Sequence, residues 1–120
     1  MESRELAIRL ARALDAKKAF NIHILEVEDL TTVTEYFVIA TGNSTTHVGA
    51  LADEAEFQLD REGVKVLRTE GHDGKRWVLL DYGCIAVHVF NAEAREFYGL
   101  ERLWRDGTPV DLTGVVDAKE

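Results

Sequence analysis

Cysteine, proline and clustered basic residues are scarce in this 120-residue chain, which contains one cysteine, Cys84, and one proline, Pro109. A lone cysteine excludes an internal disulfide and any zinc site made of several cysteines, a pattern typical of reducing compartments. No apolar run approaches the roughly 20 residues that a membrane-spanning helix requires. The lack of Lys and Arg clusters argues against direct binding of nucleic acid, because phosphate contacts need such clusters.

The charge that is present is mainly negative. Fourteen Lys and Arg residues stand against 22 Asp and Glu residues, which gives a formal net charge of −8 at pH 7. The excess is concentrated in residues 26–62, where nine acidic residues accompany a single base, Arg61. An acidic surface raises the encounter rate with basic partners. The composition therefore favours a basic protein as the partner over a nucleic acid.

The first residues do not resemble a targeting segment. Residues 1–14 have no uninterrupted apolar core of the kind found in secretory signals. The acidic residues Glu2 and Glu5 are also unlike a mitochondrial presequence. Together with the lone cysteine, this predicts a cytoplasmic protein with no membrane partner.

Hydrophobic periodicity predicts the order helix, two strands, helix, three strands, helix. The predicted helices cover residues 4–18 and 45–61 and begin again near Asn91, and the predicted strands cover residues 21–28, 36–41, 64–69, 77–82 and 85–90. The turn between the last two strands consists of Gly83 and Cys84, which predicts an antiparallel hairpin and excludes an all-parallel sheet. The fold class is therefore α/β (α+β), with a mixed five-stranded sheet and helices packed on it.

The C-terminal part of the chain carries the strongest signals for irregular structure. Residues 105–120 include Gly107, Pro109 and Gly114, which predicts a loosely ordered segment. We expect one domain over residues 4–112 and a disordered tail over residues 113–120. The size of the chain is that of a single domain.

Two carboxylates, Glu26 and Glu28, are the strongest candidates for chemistry. They lie two residues apart on a predicted strand and would share a face, as do carboxylates that hold Mg²⁺ in nucleotidyl-transfer enzymes. No phosphate-binding loop accompanies them, so a solvated strand face is the favoured interpretation and the enzyme is the alternative. We interpret Gly42-Asn43-Ser44 as a helix cap, because a phosphate loop would need more glycine and a lysine. The sequence thus predicts no metal and no cofactor.

Histidines and aromatic residues complete the set of candidates. No two of the four histidines stand at i, i+4, and His88 interrupts the apolar strand IAVHVF, where a buried, hydrogen-bonded imidazole is expected. The adjacent residues Phe97 and Tyr98 point in different directions on a helix, so at least one is expected at the surface. Exposed aromatic side chains are typical anchors of protein interfaces.

Taken together, several segments resemble those of the ribosomal silencing factor family, also called the Iojap family. In chain order they are Thr34–Gly42, Ser44, His47–Val48, Ala52–Asp53, Glu70–Gly71, Trp77, Leu80–Gly83, Val87–Phe90, Arg95, Phe97–Tyr98, Leu100–Glu101 and Leu103–Trp104. The resemblance covers residues 7–112. The ordered set, which ends in an R-x-F-Y-x-L-E-x-L-W pattern, is more specific than any one segment.

The resemblance implies a fold related to nucleotidyltransferases, without transferase activity. It also implies a function: binding to the large ribosomal subunit through ribosomal protein L-fourteen, and a block on joining of the small subunit when nutrients are short. A nucleotidyl-transfer enzyme and a self-associating scaffold stay open as alternatives. Formation of a homodimer by the free protein stays open as well.

The resemblance further implies a docking surface made of aromatic anchors and polar contacts. The residues at the matching positions are Trp77, Asp81, Arg95, Tyr98, Leu100, Glu101 and Trp104. Trp77 and Asp81 would share one face of a strand because they are four residues apart. Trp77 and Trp104 could instead fill the core. One departure is Cys84, which stands where the family usually has an acidic residue after the glycine of the hairpin turn.

Overall fold

The computed structural model describes residues 3–29, 34–71, 74, 76–93 and 107–112. Within these ranges the chain forms two helices and six strands. They are α1 (Ser3–Ala16), β1 (Phe20–Glu26), β2 (Tyr36–Gly42), α2 (Thr45–Arg61), β3 (Arg68–Glu70), β4 (Trp77–Asp81), β5 (Ile85–Asn91) and β6 (Thr108–Pro109). The predicted third helix lies almost entirely outside the described residues.

The six strands form one mixed sheet in the order β3-β4-β5-β2-β1-β6. Strands β2 and β5 are parallel neighbours at its centre, and the other pairs are antiparallel. All seven residues of β2 are buried, as expected for a strand at the centre of the sheet. The predicted α+β class with a mixed sheet is confirmed, and β6 adds a sixth strand to the predicted five.

Both described helices pack on the same face of the sheet, called here the inner face. The leucines that recur every four residues, Leu6, Leu10 and Leu14, are buried in one cluster with Val38 of β2 and Val87 of β5. On the opposite side a second, smaller cluster forms the outer face. Its members are Leu25, Val27, Phe37, Ile39, Ala86 and Phe90, with the partly buried Trp77 and Leu79 against them.

The start of α2 confirms the interpretation of Gly42-Asn43-Ser44 as a cap. The Ser44 hydroxyl accepts a hydrogen bond from the backbone N–H of His47 at 3.0 Å. The Asn43 backbone N–H donates to Nδ1 of His47 at 2.9 Å, and Nε2 of the same ring bonds the carbonyl of Lys17 at 2.8 Å. Because Nδ1 accepts, Nε2 carries the proton and donates. The His47 N–H at the start of α2 is therefore capped by the protein itself, and the His47 ring links α2 to the end of α1.

Two predictions about strands are corrected by the structure. The strand predicted over residues 64–69 is β3, Arg68–Glu70, because its partner β4 turns away after Asp81 and leaves residues 64–66 without a neighbour to pair with. Residues 107–112 are not a loose segment, since Thr108 pairs with Glu26 and Pro109 with Leu25. A proline is compatible with β6 because this strand lies at an edge of the sheet. Residues 113–120 lie outside the described residues.

Neither α1 nor α2 combines the length and apolar character that crossing a bilayer would require, so the described ranges hold no candidate membrane span.

Candidate docking surface

The β4–β5 hairpin positions the candidate residues through a two-residue turn. The Tyr82 backbone N–H donates to the Ile85 carbonyl at 2.9 Å, which leaves Gly83 and Cys84 as the loop. Gly83 has φ +84°, and the Cys84 backbone N–H donates to the Tyr82 carbonyl at 3.1 Å, so the chain reverses tightly about Gly83. The Asp81 Oδ1 atom accepts a hydrogen bond from the Gly83 N–H at 2.9 Å. The turn fixes the register of the two strands, as a two-residue loop predicts.

That register creates a strip of partly exposed side chains along β4. Trp77, Leu79 and Asp81 are half-buried, and the residues between them, Val78 and Leu80, are buried on the inner face. The predicted common face of Trp77 and Asp81 is therefore present. Leu79 was not among the predicted residues, although the period of two along the strand places it between them. We call Trp77, Leu79 and Asp81 the β4 strip.

The indole of Trp77 is held in place from two sides. Its Nε1–H donates a hydrogen bond to Nδ1 of His88 at 3.0 Å. Its ring stacks on Phe90, the residue directly opposite on β5, with a centroid distance of 5.1 Å and an interplanar angle of 25°. These contacts fix the side chain before any partner arrives, which lowers the entropy lost on binding. Trp77 thus combines a fixed conformation with partial exposure.

His88 is the buried support of this arrangement and confirms the prediction of a hydrogen-bonded core histidine. It is 6% exposed, and its ring meets the Phe37 ring in a T-shaped arrangement with a centroid distance of 5.2 Å. Because Nδ1 accepts the bond from Trp77, the neutral ring carries its proton on Nε2. Burial lowers the pKa of His88 to about 4, an effect that the nearby Asp81 carboxylate partly opposes. The imidazole is therefore neutral at physiological pH.

The backbone of Trp77 is fixed by a close approach from the β3–β4 connection. Gly71 has φ +86°, and a Cβ atom at this position would overlap the Trp77 carbonyl oxygen. Only glycine combines this conformation with so close a contact. The Glu70–Gly71 segment that carried part of the family resemblance thus has a structural role beside Trp77.

Asp81 is largely occupied by contacts within the protein. Besides the Gly83 N–H, its carboxylate faces Arg68, whose Nη2 lies 3.6 Å from Oδ2. The same guanidinium approaches Glu70 at 3.3 Å. These pairs are partly exposed and contribute little to stability. Asp81 therefore shapes the hairpin turn, and its remaining exposed surface is available at the end of the β4 strip.

Cys84 lies at the second position of the turn and is half-buried. Its side chain packs against the inner-face cluster. Its backbone carbonyl accepts hydrogen bonds from Glu35 and Tyr36 at 3.0 and 3.2 Å. Accepting hydrogen bonds through the backbone carbonyl does not depend on the side chain, so cysteine is compatible with this position of the turn.

The carboxylate pair Glu26 and Glu28 does not share a strand face, which corrects the sequence prediction. Strand β1 ends at Glu26, and Glu28 is exposed in the turn that follows. Both carboxylates lie near Tyr36: burial raises the pKa of that hydroxyl, a hydrogen bond with Arg4 opposes the rise, and Glu26 and Glu28 add to it. Among the described residues, no group of three His, Cys, Asp or Glu side chains could hold a metal ion.

Replacing both carboxylates should therefore change little. We expect Glu26→Gln combined with Glu28→Gln to shift the free energy of unfolding by only about 0.5 kcal/mol, as is usual for surface changes. The binding to large ribosomal subunits that the family resemblance implies, measured by co-sedimentation, should be the same for the double variant and the wild type. Loss of a Mg²⁺-dependent nucleotide-binding isotherm in the double variant would instead revive the nucleotidyl-transfer alternative.

The remaining predicted docking residues cannot be placed on this surface. Arg95, Tyr98, Leu100, Glu101 and Trp104 lie outside the described residues. Of the seven predicted positions, the structure brings together Trp77 and Asp81 on the β4 strip.

Comparisons with known proteins give a consistent family. The family model described as "Ribosomal silencing factor during starvation" matches residues 1–120. A ribosomal silencing factor of Bacillus subtilis is 44% identical over 102 residues, which cover 85% of this chain and 86% of that protein. A crystal structure of a Chromobacterium violaceum protein matches with a TM-score of 0.82 and 37% identity over 87% of each chain.

A mouse relative named "Mitochondrial assembly of ribosomal large subunit protein 1" is 32% identical over 98 residues, which cover 79% of this chain and 43% of that longer protein. The names across these matches describe regulatory and ribosome-associated proteins and not enzymes. The match over the whole length, together with the shared fold, shows that this chain belongs to the ribosomal silencing factor family.

Proposed function

We propose that the protein is a cytoplasmic, non-enzymatic repressor of translation that binds the large ribosomal subunit through ribosomal protein L-fourteen. As a single domain of residues 4–112, it would occupy the surface that the small subunit needs and so block subunit joining under nutrient limitation. The family membership supports the silencing role. The mouse relative, whose name assigns it to assembly of the large subunit, supports the choice of subunit.

The observation that carries the proposal is the immobilised, half-buried Trp77. Interface energy is concentrated in a few residues, and tryptophan is enriched among them. The bond to His88 and the stack on Phe90 hold the indole in one conformation while part of it faces solvent. Leu79 extends the apolar surface along the β4 strip, and the Asp81 carboxylate lies at its end. This is a small apolar centre with a polar end, as protein interfaces have.

The residues proposed for docking are those of the β4 strip together with the positions that the family resemblance implies. The latter are Arg95, Tyr98, Leu100, Glu101 and Trp104.

Charge supports a protein partner over ribosomal RNA. With a net charge of −8, the chain is repelled by phosphates. Ribosomal proteins are basic because they lie on RNA, so long-range attraction would steer the factor toward L-fourteen. The association rate should consequently fall as the salt concentration rises, while the dissociation rate depends mainly on the apolar contacts.

The β4 strip also affects the expected oligomeric state of the free protein. The β4 strip, which the ribosome would cover, is exposed in the free protein. Self-association would bury this apolar strip again. We therefore include a homodimer of the free protein in the proposal. Sedimentation velocity over a range of protein concentrations tests this part, and Trp77→Ala should shift the dimer toward monomer.

The test of the main proposal separates binding from silencing. The protein is incubated with purified large subunits and pelleted, and small subunits are then added and the formation of complete ribosomes is followed by light scattering. We expect co-pelleting and a block on joining at one factor per large subunit. Binding of isolated L-fourteen should be measurable by calorimetry. Normal joining by subunits that carry the factor would contradict the steric block even if binding is observed.

A further inference from the structure

A groove of about 400 Å³ opens between the C-terminal half of α2 and the segment before β3. It lies on the inner side of the sheet, near the hairpin turn, and does not belong to the β4 strip. Its volume is within the range of roughly 300–1,000 Å³ that is usual for ligand sites. We call it the α2 groove, and the side chains used below to define it are Asp53, Glu56, Phe57, Asp60, Val66 and Tyr82.

The hydroxyl of Tyr82 is the most informative atom of the α2 groove. Tyr82 is 6% exposed, and within the described residues its hydroxyl has no hydrogen-bond partner. Burial raises the pKa of this hydroxyl, and the carboxylates of Glu56 and Asp60 raise it further, so the group stays protonated. Buried polar groups are nearly always paired, because an unpaired one lowers stability. Tyr82 also lines the α2 groove, so a ligand seated there is a candidate source of the missing hydrogen bond.

The charge of the α2 groove indicates a cationic ligand. Asp53, Glu56 and Asp60 lie on one side of α2 and contribute three carboxylates. The lining includes one cation, Lys65, whose Nζ lies 2.8 Å from Oδ1 of Asp60. Both side chains of this pair are largely exposed, at 79% and 65%, so the pair is weak and readily replaced by a competing cation.

The apolar part of the α2 groove indicates which cation fits. Phe57 is 56% exposed although it is a large apolar residue, and the segment opposite contributes Val66. The guanidinium of Arg61 already lies 5.6 Å from the centroid of the Phe57 ring, so the ring accommodates this planar group. An apolar wall next to carboxylates suits a long aliphatic stem with a charged head.

We propose that the α2 groove binds an arginine side chain from a basic segment of a protein partner. The stem would pack on Phe57 and Val66, the guanidinium would pair with Asp60 and Glu56, and Tyr82 would gain a hydrogen-bond partner. Arginine fits better than lysine, because a planar guanidinium both stacks on an aromatic ring and donates to several acceptors.

This site is separate from the docking surface proposed above. Tyr82 belongs to the inner-face cluster, and Trp77 packs on the outer-face cluster. A protein with both sites could hold two basic segments at once. The test below uses neither ribosomes nor L-fourteen, so its outcome does not depend on the proposed function.

The test is a titration of the ¹⁵N-labelled full-length protein with Nα-acetyl-L-arginine methylamide, followed by NMR chemical shifts. The matched probes are the citrulline analogue, which has the same shape without charge, and the lysine analogue. We expect saturable shifts in α2 and around Tyr82 in the millimolar range for the arginine probe. The lysine probe should bind about threefold more weakly. The citrulline probe should cause no saturable shifts.

Three variants examine the contacts, with a control at the opposite edge of the sheet. Tyr82→Phe should weaken arginine binding about fivefold and leave the Tm unchanged or higher, because no residue in the described part of the chain pairs with the hydroxyl. Asp60→Asn should weaken it about threefold, and Lys65→Met should strengthen it about twofold by removing the competing cation. Asp111→Asn, which removes an exposed carboxylate next to β6, should leave the affinity unchanged.

The combination expected for Tyr82→Phe, weaker binding without lower stability, distinguishes a binding role from a structural one. Equal affinity for arginine and citrulline, or for arginine and lysine, would overturn the assignment. So would shifts centred outside the α2 groove, the absence of saturable shifts, or unchanged binding by Tyr82→Phe.

Discussion

Trp77→Ala is expected to weaken binding to the large subunit by about 2 kcal/mol or more, roughly a thirtyfold loss of affinity. Truncation removes the one large aromatic side chain that the described structure both immobilises and leaves half-exposed on the outer face. It also removes the partner of His88 and the ring that stacks on Phe90. Some loss of stability is therefore expected too, and pelleting with large subunits has to be measured beside thermal melting.

Two further variants separate anchoring from packing. Trp77→Phe keeps an aromatic ring over Phe90, so the variant should stay folded. Because it lacks the N–H that bonds His88, it should bind the large subunit with an affinity between those of the wild type and Trp77→Ala. Leu67→Ala truncates an apolar side chain that is 72% exposed and lies outside the β4 strip, so binding should be unchanged. If Trp77→Ala binds normally while melting earlier, Trp77 is a core residue and the docking surface lies elsewhere.

The parts of the fold that could be predicted from sequence are those set by local signals. The predicted limits of α2, Thr45 and Arg61, are those of the structure, because Ser44 caps its start and Gly63 supplies a positive φ just after its end. The Gly83-Cys84 turn likewise fixed the pairing of β4 with β5. With Tyr82 opposite Ile85, the partner of every residue in the hairpin follows by counting.

The parts that could not be predicted depend on partners that are distant in sequence. Val64 and Val66 have the residue type of a strand, but no strand in the described part of the chain pairs with them, and the Val64 N–H donates to the Leu59 carbonyl at 2.9 Å. Thr108 and Pro109, in contrast, become a strand because β1 offers its free edge. No local sequence pattern predicts the missing strand at residues 64–66 or the added strand β6, since both depend on where β1 and β4 end.

The same distinction applies to the candidate sites. The common face of Trp77 and Asp81 follows from a period of two and was predictable. The hairpin register places His88 opposite Leu79 and diagonal to Trp77, so the bond between Trp77 and His88 depends on side-chain conformations that the sequence does not report. The α2 groove could not be anticipated, because it joins Tyr82 at the hairpin turn to a helix that lies more than 20 residues earlier in the chain.

His88→Ala is expected to destabilise the protein at neutral pH and to have progressively less effect as the solution becomes acidic. At pH 7.5 we expect a cost of about 1–3 kcal/mol, because the change leaves a cavity and deprives the Trp77 N–H of its acceptor. The pH dependence follows from burial, which lowers the pKa of His88 from 6.5 to about 4. Below pH 6.5 the unfolded chain takes up a proton that the folded protein does not, so the free energy of unfolding falls as the pH falls. The full loss, reached near pH 4, is about 3 kcal/mol in the wild type and absent from the variant.

The measurement is urea unfolding of wild type and His88→Ala at several values between pH 7.5 and pH 4. Carboxylates other than Asp81, which acts on His88, affect both proteins alike, so the difference between the two curves reports His88 together with its interaction with Asp81. His23→Ala, at an exposed position on β1, is measured in parallel to show how far the loss of a different imidazole alters the pH dependence. The gap between wild type and His88→Ala should shrink below pH 6.5 by about 3 kcal/mol in total. It should close near pH 4 if the cost at pH 7.5 is about 3 kcal/mol, and nearer pH 6, with reversal below that pH, if the cost is about 1 kcal/mol. A gap that stays constant over this range would mean that the imidazole is hydrated in the folded state, and the support that it gives Trp77 would then be weaker than the 3.0 Å bond indicates.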